Sequence, residues 1–299
     1  MFGVRTHTLC SVRSRNISQR EANAQGIPAL RAFMYTAFLE KVFDHYERHR
    51  RDLPWRTEVT PYRVLVSEFM LQQTQVERVQ GCFQSFVDAF PSIEALAGAD
   101  LKEVLVRWRG LGYNRRALNV WRTAGVVVSR HGGVIPADRQ TLETLPGIGP
   151  STSGAVCAFA YGIPVAFIET NIRRAFIHHF FPDRTDVRDR EILPLVEKTL
   201  DRENPRDWYY ALMDYGAMLR KHAHNPNRRS AHYTRQAPFE GSNRQARGRV
   251  IKALLERGPM TKKELAALVG IERNRLETVL SCLEQEGFLA VTGQGVRLS

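Results

Sequence analysis

Cysteine is scarce in this chain of 299 residues, and the four cysteines present are far apart. They are Cys10, Cys82, Cys157 and Cys282, and no two of them form the C-x-x-C spacing of redox and zinc motifs. Small secreted domains that depend on disulfides carry many closely spaced cysteines. The scarcity therefore excludes a disulfide framework and favours reduced thiols in a cytoplasmic protein.

Long apolar runs and acidic side chains are also in short supply. No apolar run reaches the roughly 18 residues that a membrane-spanning helix needs, so we expect no membrane partner. The 31 acidic residues are outnumbered by 43 Lys and Arg, which leaves a formal charge of +12. A positive excess favours a polyanionic partner, and nucleic acid is the commonest one. The length and the 43% hydrophobic content predict one large or two moderate domains with a sizeable core.

A turn rich in Gly and Pro, Leu145-Pro146-Gly147-Ile148-Gly149-Pro150, lies between two apolar runs. Its glycines allow a positive φ and the close approach of another backbone. The small apolar residues of 151–161 predict a tightly packed helix behind the turn. A hairpin that ends at a helix N-terminus presents unpaired N–H groups, and these make a ready phosphate site.

Two carboxylates lie in unusual surroundings. Glu169 follows Gly149 by twenty positions and lies between an apolar run and a basic helix start. It is either a first-turn acid favoured by the helix dipole or a catalytic acid. Glu68 lies inside an otherwise apolar turn of a helix predicted over 64–79, and is either a paired surface acid or a functional one. The uncharged polar run 72–75 behind it suits side chains that insert among bases.

Two further segments combine an aromatic side chain with a cation. Leu53-Pro54-Trp55-Arg56 is irregular, and the stretch 109–117 places Tyr113 between glycines and arginines. Tyr113 is either a packing residue at a helix–helix turn or an aromatic that enters a duplex where a base has left.

These stretches together resemble the helix-hairpin-helix (HhH-GPD) DNA glycosylases, and among them the MutY-type adenine glycosylases. In that family the catalytic acid follows the second hairpin glycine by the interval that separates Gly149 from Glu169, although the family acid is Asp. The resemblance covers roughly residues 36–225. It implies an all-α, two-lobed helical fold with its active site between the lobes, and a base-excision-repair enzyme.

The resemblance also implies roles for residues that meet the DNA. Arg56 and Glu68 would contact the target adenine, and Gln73 and Tyr113 would enter the duplex. The hairpin amides of Gly147 and Gly149 would hold a phosphate.

The same resemblance divides the chemistry between two acids. Glu68 would protonate the leaving purine and position water, for which it must be partly protonated near neutral pH. Glu169, oriented by Asn171, would stabilise an oxocarbenium-like sugar. Ser151 stands where strand-cutting relatives carry a Schiff-base lysine, so we expect base removal by water with little or no lyase activity.

Most relatives hold an iron–sulfur cluster with four cysteines just beyond the stretch that contains Asp214, which we interpret as structural. Residues 219–240 contain no cysteine, and such a cluster needs thiolates, so we expect neither a cluster nor another metal. His222, His224 and His232 leave zinc open as an alternative. The preferred interpretation is a basic loop on the DNA backbone.

Residues 243–299 resemble a small winged helix, with a capping box at Thr261–Glu264, three helices and a terminal hairpin. Arg273 and Arg275 begin its recognition helix and are candidates for DNA contact. A winged helix that contacts protein is the alternative. Adenine glycosylases normally carry a different C-terminal domain, which recognises an oxidised guanine, so the preferred mispair stays open.

Residues 1–33 carry five Arg and one acid without helical or strand periodicity. They are a transit peptide, a disordered arm or an over-extended start before Met34.

We expect the glycosylase domain at 34–240 and the winged helix at 243–299. Three functions stay open. The preferred one is removal of adenine opposite guanine or 8-oxoguanine. The alternatives are removal of uracil or thymine opposite guanine, and DNA binding without catalysis. In each case the expected species is a monomer on double-stranded DNA.

Overall fold

The computed structural model describes residues 27–221 and 224–299, with side chains from residue 32 onward in the first helix. The predictions for residues 1–26 and for His222 lie outside the described residues. The helices are α1 (Ile27–His49), α2 (Pro54–Thr57), α3 (Pro61–Leu71), α4 (Val76–Ala89), α5 (Ile93–Ala97), α6 (Leu101–Arg107), α7 (Arg115–His131), α8 (Arg139–Glu143), α9 (Pro150–Tyr161), α10 (Thr170–Phe180), α11 (Asp189–Thr199), α12 (Pro205–Lys221), α13 (Asn243–Arg257), α14 (Lys262–Val269) and α15 (Arg273–Gln285). A 3₁₀ turn (Pro226–Arg229) follows α12, and the strands β1 (Leu289–Thr292) and β2 (Gly295–Leu298) end the chain. No helix of these residues is long and apolar enough to cross a membrane.

The described residues divide into two compact units, the first drawn from 27–52 and 157–234 and the second from 53–156 and 235–299. Both are built mainly from helices, which confirms the all-α fold. Residues 235–299 belong to the second unit together with 53–156, and the domain boundary at 240–243 stays a prediction.

In the first unit α12 packs against both α10 and α1. The core is aromatic, because Phe38, Phe176, Trp208 and Tyr209 are almost completely buried. Asp214 on α12 is buried and accepts hydrogen bonds from the backbone N–H (2.9 Å) and Nε (2.7 Å) of Arg51. These bonds agree with the interpretation of Asp214 as a structural residue.

The start of α1 corrects one boundary. Residues 27–33 were grouped with the basic N-terminal extension, for which a disordered arm was one of three interpretations, but α1 begins at Ile27. Pro at the second position and the good helix formers Ala29, Leu30 and Ala32 favour a helix there. The irregular composition thus ends before Ile27, and Met34 lies inside a helix.

A buried histidine in the first unit gives a stability prediction. His179 Nε2 lies 2.8 Å from the hydroxyl of Tyr215, and its ring packs against Phe38. Burial, with smaller contributions from His178 and Lys41, lowers the pKa of His179 to about 4. Because the unfolded chain binds this proton at an ordinary pKa of about 6.5, stability from His179 is present above that pH and is lost as the pH falls toward 4.

We therefore expect the melting temperature of the wild type to fall between pH 7 and pH 5, and the fall to be smaller for His179→Gln, which keeps a polar partner for Tyr215. Thermal unfolding at both pH values measures the difference. His131→Gln, in the other unit, is the matched control. An equal fall in His179→Gln and wild type would show that His179 does not control this pH dependence.

In the second unit α3 begins with Thr60, whose side chain accepts a hydrogen bond from the N–H of Arg63, and with Pro61 at its first position. The predicted continuous helix over 64–79 is wrong, because α3 ends at Leu71 and α4 starts at Val76. The break comes at Gln73, which has a left-handed φ of +55°. The uncharged polar run therefore forms a turn between two helices.

The C-terminal helices and hairpin agree with the predicted winged helix. Thr261 and Glu264 form the capping box of α14, and β1 pairs antiparallel with β2 from Leu289↔Leu298 to Thr292↔Gly295. α13 packs against α14, α15 and β2. The apolar residues predicted for α15, among them Leu276 and Leu283, are buried.

Glu286, at the end of α15, joins these C-terminal elements to α7 in the same unit. Its carboxylate accepts hydrogen bonds from Arg115 (3.1 Å from Nε) and Arg247 (2.6 and 2.9 Å), and its backbone carbonyl accepts one from Arg122 (2.6 Å). Burial alone would raise the pKa of Glu286, but the hydrogen bonds from Arg115 and Arg247 hold it below its ordinary value. Paired charges at this junction fix α13–α15 on the helices of residues 53–156.

Candidate active site

Glu169 is the N-cap residue of α10. Its Oε1 accepts hydrogen bonds from the backbone N–H groups of Asn171 (2.6 Å) and Ile172 (2.8 Å), and its Oε2 accepts one from Asn171 Nδ2 (3.1 Å). These bonds satisfy N–H groups that the helix itself leaves unpaired. The two interpretations from the sequence are thus compatible, because the helix start that uses the acid as a cap also holds it in one orientation.

A second layer of hydrogen bonds fixes Asn171. The guanidinium of Arg174 donates to Asn171 Oδ1 (2.7 Å), to the carbonyl of Gly216 (2.6 Å) and to Asn225 Oδ1 (2.9 Å). Arg174 is buried, and Gly216 on α12 lies so close to Asn171 that a Cβ at residue 216 would overlap with the Asn171 carbonyl. Only glycine therefore permits this packing of α12 on the start of α10.

The electrostatic environment of Glu169 contains opposing contributions. Burial raises the pKa of Glu169, against the lowering effect of the N–H donors of Ile172 and Asn171 and of the nearby Arg174 and Arg173. The net direction is upward, so a proton leaves this acid at a higher pH than it leaves an ordinary Glu. At neutral pH the donors provide partners for an ionised carboxylate.

The second unit contains Arg56 and Glu68. Arg56 is half-buried on the short helix α2, next to Trp55, whose buried ring packs against Phe83 with centroids 5.4 Å apart. Glu68 is half-buried on α3, between the buried Ser67 and Phe69. A carboxylate that is flanked by core residues and still reaches the surface is in a suitable place to meet a ligand.

The hairpin forms between α8 and α9 as the sequence predicted. Gly147 has a φ of +78°, and a Cβ there would overlap with the side chain of Asn119. Gly149 does not have a positive φ and has no close neighbour, so only one of the two glycines needs the freedom that the sequence assigned to both. Ser151 is half-buried in the first turn of α9. It precedes Ser153, whose backbone N–H donates to the Gly149 carbonyl (2.9 Å).

Gln73 and Tyr113, which the family resemblance predicts to enter the duplex and which we call the inserting pair for that reason, lie in two turns of the second unit. Both have a positive φ, +55° and +47°, which is rare for residues other than glycine. Backbone strain of this kind persists where the surrounding structure enforces it, and it is concentrated at functional sites.

Arg116 holds both of these turns. One terminal nitrogen of its guanidinium donates to the carbonyls of Phe69 (2.9 Å), Met70 (2.6 Å) and Gln72 (2.6 Å) at the end of α3. The other donates to the hydroxyl of Thr74 (2.8 Å) and to the carbonyls of Leu111 and Gly112 (both 3.1 Å). Burial lowers the pKa of Arg116 to about 10, so it stays charged at neutral pH. A buried cation therefore satisfies the helix end and the loop before Tyr113 together.

The segment after α12 is joined to the end of α10 by Arg229. Arg229 donates to the carbonyls of Phe181 (2.6 Å) and Ile177 (3.3 Å) at the C-terminus of α10. The sequence assigned Arg229 to a loop on the DNA backbone, and its guanidinium instead caps a helix. Arg228 is exposed in the same turn. Within 27–221 and 224–299 no three His, Cys, Asp or Glu residues are arranged to hold a metal ion.

The donor set of an iron–sulfur cluster does not fit this segment. Cys82, Cys157 and Cys282 are half-buried, buried and exposed, respectively, and residues 219–240 provide no thiolate. A cluster of this kind is held by Cys thiolates, so the segment has no suitable ligands.

The two arginines at the start of α15 have different surroundings. Arg273 is exposed. Arg275 donates to the carbonyl of Gly241 (2.6 Å) and approaches Asn243 Oδ1 (3.4 Å), so it anchors the turn before α13. Arg275 is half-buried and its guanidinium is bonded to the protein, whereas the exposed Arg273 stays a predicted DNA-contacting residue.

Three residues of the candidate site were missed at the level of sequence: Arg116, Arg174 and Gly216. Gly216 was visible as a glycine inside an apolar helix, which signals a close backbone contact. The two arginines lie among other basic residues at helix starts, and nothing in the local pattern distinguishes a buried guanidinium from an exposed one.

Comparison with known proteins supports the family resemblance. The family model described as HhH-GPD superfamily base excision DNA repair protein matches residues 66–198. The chain is similar to the adenine DNA glycosylase of Mycolicibacterium smegmatis, with 34% identity over 272 residues that cover 84% of this chain and 92% of that protein. It is 36% identical over 251 residues to the adenine DNA glycosylase of Mycobacterium tuberculosis H37Rv, covering 74% of this chain and 79% of that protein. Among solved structures, a thermostable thymine-DNA glycosylase superposes with a TM-score of 0.57 at 25% identity, covering 62% of this chain and 87% of that one.

Proposed function

Since the chain belongs to the adenine DNA glycosylases of the HhH-GPD superfamily, we propose that it hydrolyses the N-glycosidic bond of adenine in a mispair with guanine or 8-oxoguanine in double-stranded DNA. The observation that carries this proposal is the arrangement around Glu169, whose carboxylate is held by three hydrogen bonds at a helix start with Asn171 fixed behind it by Arg174. The relatives named above, which span most of the chain, support it.

The reaction requires a flipped nucleotide, because the glycosidic bond of a stacked base is inaccessible. Gln73 and Tyr113 enter the duplex and keep the emptied position open. The hairpin at 147–149 and the first turn of α9 bind a backbone phosphate through their N–H groups. Arg56 and Glu68 contact the flipped adenine.

The two carboxylates have different tasks in bond cleavage. Glu68 donates a proton to the leaving purine while the bond from the sugar C1′ to the base nitrogen breaks. Glu169, in its ionised form, stabilises the positive charge that develops on the sugar. The oxygen of a water molecule then bonds to C1′, and its proton returns to Glu68, so the products are free adenine and an abasic site.

Strand cleavage does not accompany base removal. A serine at position 151 has no amine with which to form a Schiff base with the sugar. The reaction also proceeds without an iron–sulfur cluster. A protein–DNA adduct trapped with borohydride would disprove the absence of strand cleavage. Visible-range absorbance of an iron–sulfur cluster in the purified protein would disprove the absence of the cluster.

Single-turnover base release from duplexes containing A:8-oxoG, A:G, U:G and T:G tests the proposal, with wild type and Glu169→Gln compared. We expect adenine release by the wild type that is lost in the variant. The similarity to a thymine-DNA glycosylase makes pyrimidine release the second candidate, and release from U:G or T:G alone would favour it. Binding without release from any duplex would contradict both and leave a DNA-binding protein. The elution volume on a sizing column tests the proposed monomer.

A further inference from the structure

The segment that connects the glycosylase helices to α13 lies directly on the inserting pair. Gln236 Nε2 lies 3.4 Å from Gln73 Oε1 and also contacts the Tyr113 hydroxyl. The guanidinium of Arg244, in the first turn of α13, donates to the same hydroxyl, and its carbon lies 5.4 Å from the centre of the Tyr113 ring. The same guanidinium carbon of Arg244 lies 6.0 Å from the centre of the ring of Phe239, a residue that is 60% exposed. We call Gln236, Phe239 and Arg244 the linker cluster.

The linker cluster is fixed in position. Arg244 also donates to the carbonyl of Ala237 (2.7 Å), which ties the segment to the start of α13. Arg275 donates to the carbonyl of Gly241 in the turn between them. The charges around Glu286 fix α13 on the helices of the same unit. The surrounding structure therefore holds the linker cluster beside the inserting pair.

These side chains have the chemistry of base recognition. A guanidinium pairs with O6 and N7 of guanine, which is the commonest specific contact between proteins and DNA bases. An amide donates to and accepts from base edges, and an exposed aromatic ring stacks on an unpaired base. An amide and a guanidinium can also contact phosphates, but a cluster with phosphate contacts alone would have no need of the exposed ring of Phe239.

From these contacts we infer that Arg244, supported by Gln236 and Phe239, recognises the base opposite the excised one and that this base is a guanine. The inference rests on the proposed function, in which Gln73 and Tyr113 enter the duplex. Gln236 contacts both of these residues and Arg244 contacts Tyr113, so the two side chains reach the same base step when the pair enters. The base there has lost its partner, so its O6 is free of base pairing and is available, together with N7, to a side chain beside it.

The test compares adenine release by wild type and Arg244→Gln on duplexes that place adenine opposite guanine, opposite cytosine or opposite an abasic site. We expect the ratio of the A:G rate to the A:abasic rate to fall roughly 5- to 100-fold in the variant, as loss of one guanine contact predicts. Arg257→Gln removes the same charge from an exposed position on the same helix and should leave this ratio at its wild-type value. Thermal unfolding of both variants shows whether the fold is intact.

A proportional loss on all three duplexes would overturn the inference, because it would make Arg244 a phosphate contact or a support for Tyr113. A gain on all three would also overturn it and make the cluster an inhibitory contact. Absence of adenine release by the wild type would be a failure of the proposed function instead. In that case, binding to duplexes with 2′-fluoroadenosine, which resists excision, opposite guanine or cytosine still tests Arg244, and equal loss of affinity on both would contradict its role.

Discussion

Glu169→Gln is expected to reduce adenine release by about 10²- to 10³-fold while the folded chain stays as stable as the wild type or becomes more stable. The amide oxygen of Gln can still accept from the N–H groups of Asn171 and Ile172, so the cap of α10 is kept. What is lost is the negative charge opposite the developing positive charge on the sugar. The measurement pairs single-turnover kinetics with thermal unfolding of the same samples.

The stability half of this prediction follows from the direction of the pKa. Because burial raises the pKa of Glu169, the folded state binds the proton more tightly than the unfolded state does. Stability from this group is therefore present at pH values below the ordinary pKa of Glu and is lost as the pH rises through the raised value. A neutral Gln avoids that loss at pH 7. The rate of adenine release depends on pH in the opposite direction, because only ionised Glu169 stabilises the positive charge on the sugar. The pH at which the rate declines on the acidic side should therefore lie above the ordinary pKa of Glu.

Glu169→Asp is the matched control, because it keeps the charge and shortens the side chain by one methylene. We expect it to retain release within about 100-fold of the wild type, which is the cost of misplacement by roughly 1 Å. If the Gln variant were as active as the Asp variant, Glu169 would have no part in breaking the glycosidic bond. A Gln variant that unfolds well below the wild type would show that the charge itself holds the start of α10.

The sequence could predict features that depend on neighbours along the chain. The hairpin, the cap at Thr261 and the helices on either side of Glu169 all follow from local turn chemistry and periodicity. The turn at Gln73 did not follow, because residues 64–79 keep a helical pattern through it. The helix ends there because Arg116, more than forty positions later, bonds the carbonyls that the break leaves unpaired.

The same limit explains the two hairpin glycines and the orientation of Glu169. Gly147 is constrained by the side chain of Asn119 on α7, and Gly149 is not, although both look alike in the sequence. The family resemblance implied that Asn171 orients the acid, but the guanidinium of Arg174 that holds Asn171 is itself held by Gly216 on α12 and by Asn225 in the turn after it. Long-range packing decides which of several similar residues carries the constraint.

Arg116 is the residue whose replacement should most disturb both turns of the inserting pair. Arg116→Met removes the guanidinium that donates to five backbone carbonyls. The carbonyls of Gln72, Leu111 and Gly112 keep Thr74 or Trp108 as a second donor, and each buried acceptor left unsatisfied costs about 1–3 kcal/mol, so we expect a total loss of about 3–5 kcal/mol. For a unit of this size the melting temperature should fall by roughly 6–20 °C. Adenine release should fall further than unfolding explains when measured well below the transition, since Gln73 and Tyr113 lose the support for their positive φ.

Arg116→Lys separates charge from geometry. An ammonium keeps the cation but has three donors around a single atom, so it cannot reach both turns as the planar guanidinium does. We expect its melting temperature and its rate to be close to those of the Met variant. Arg130→Met, at an exposed position of the same helix, should change stability by no more than about 1 kcal/mol. If Lys restored wild-type release, the charge of Arg116 would suffice and the double set of hydrogen bonds would not position the inserting pair.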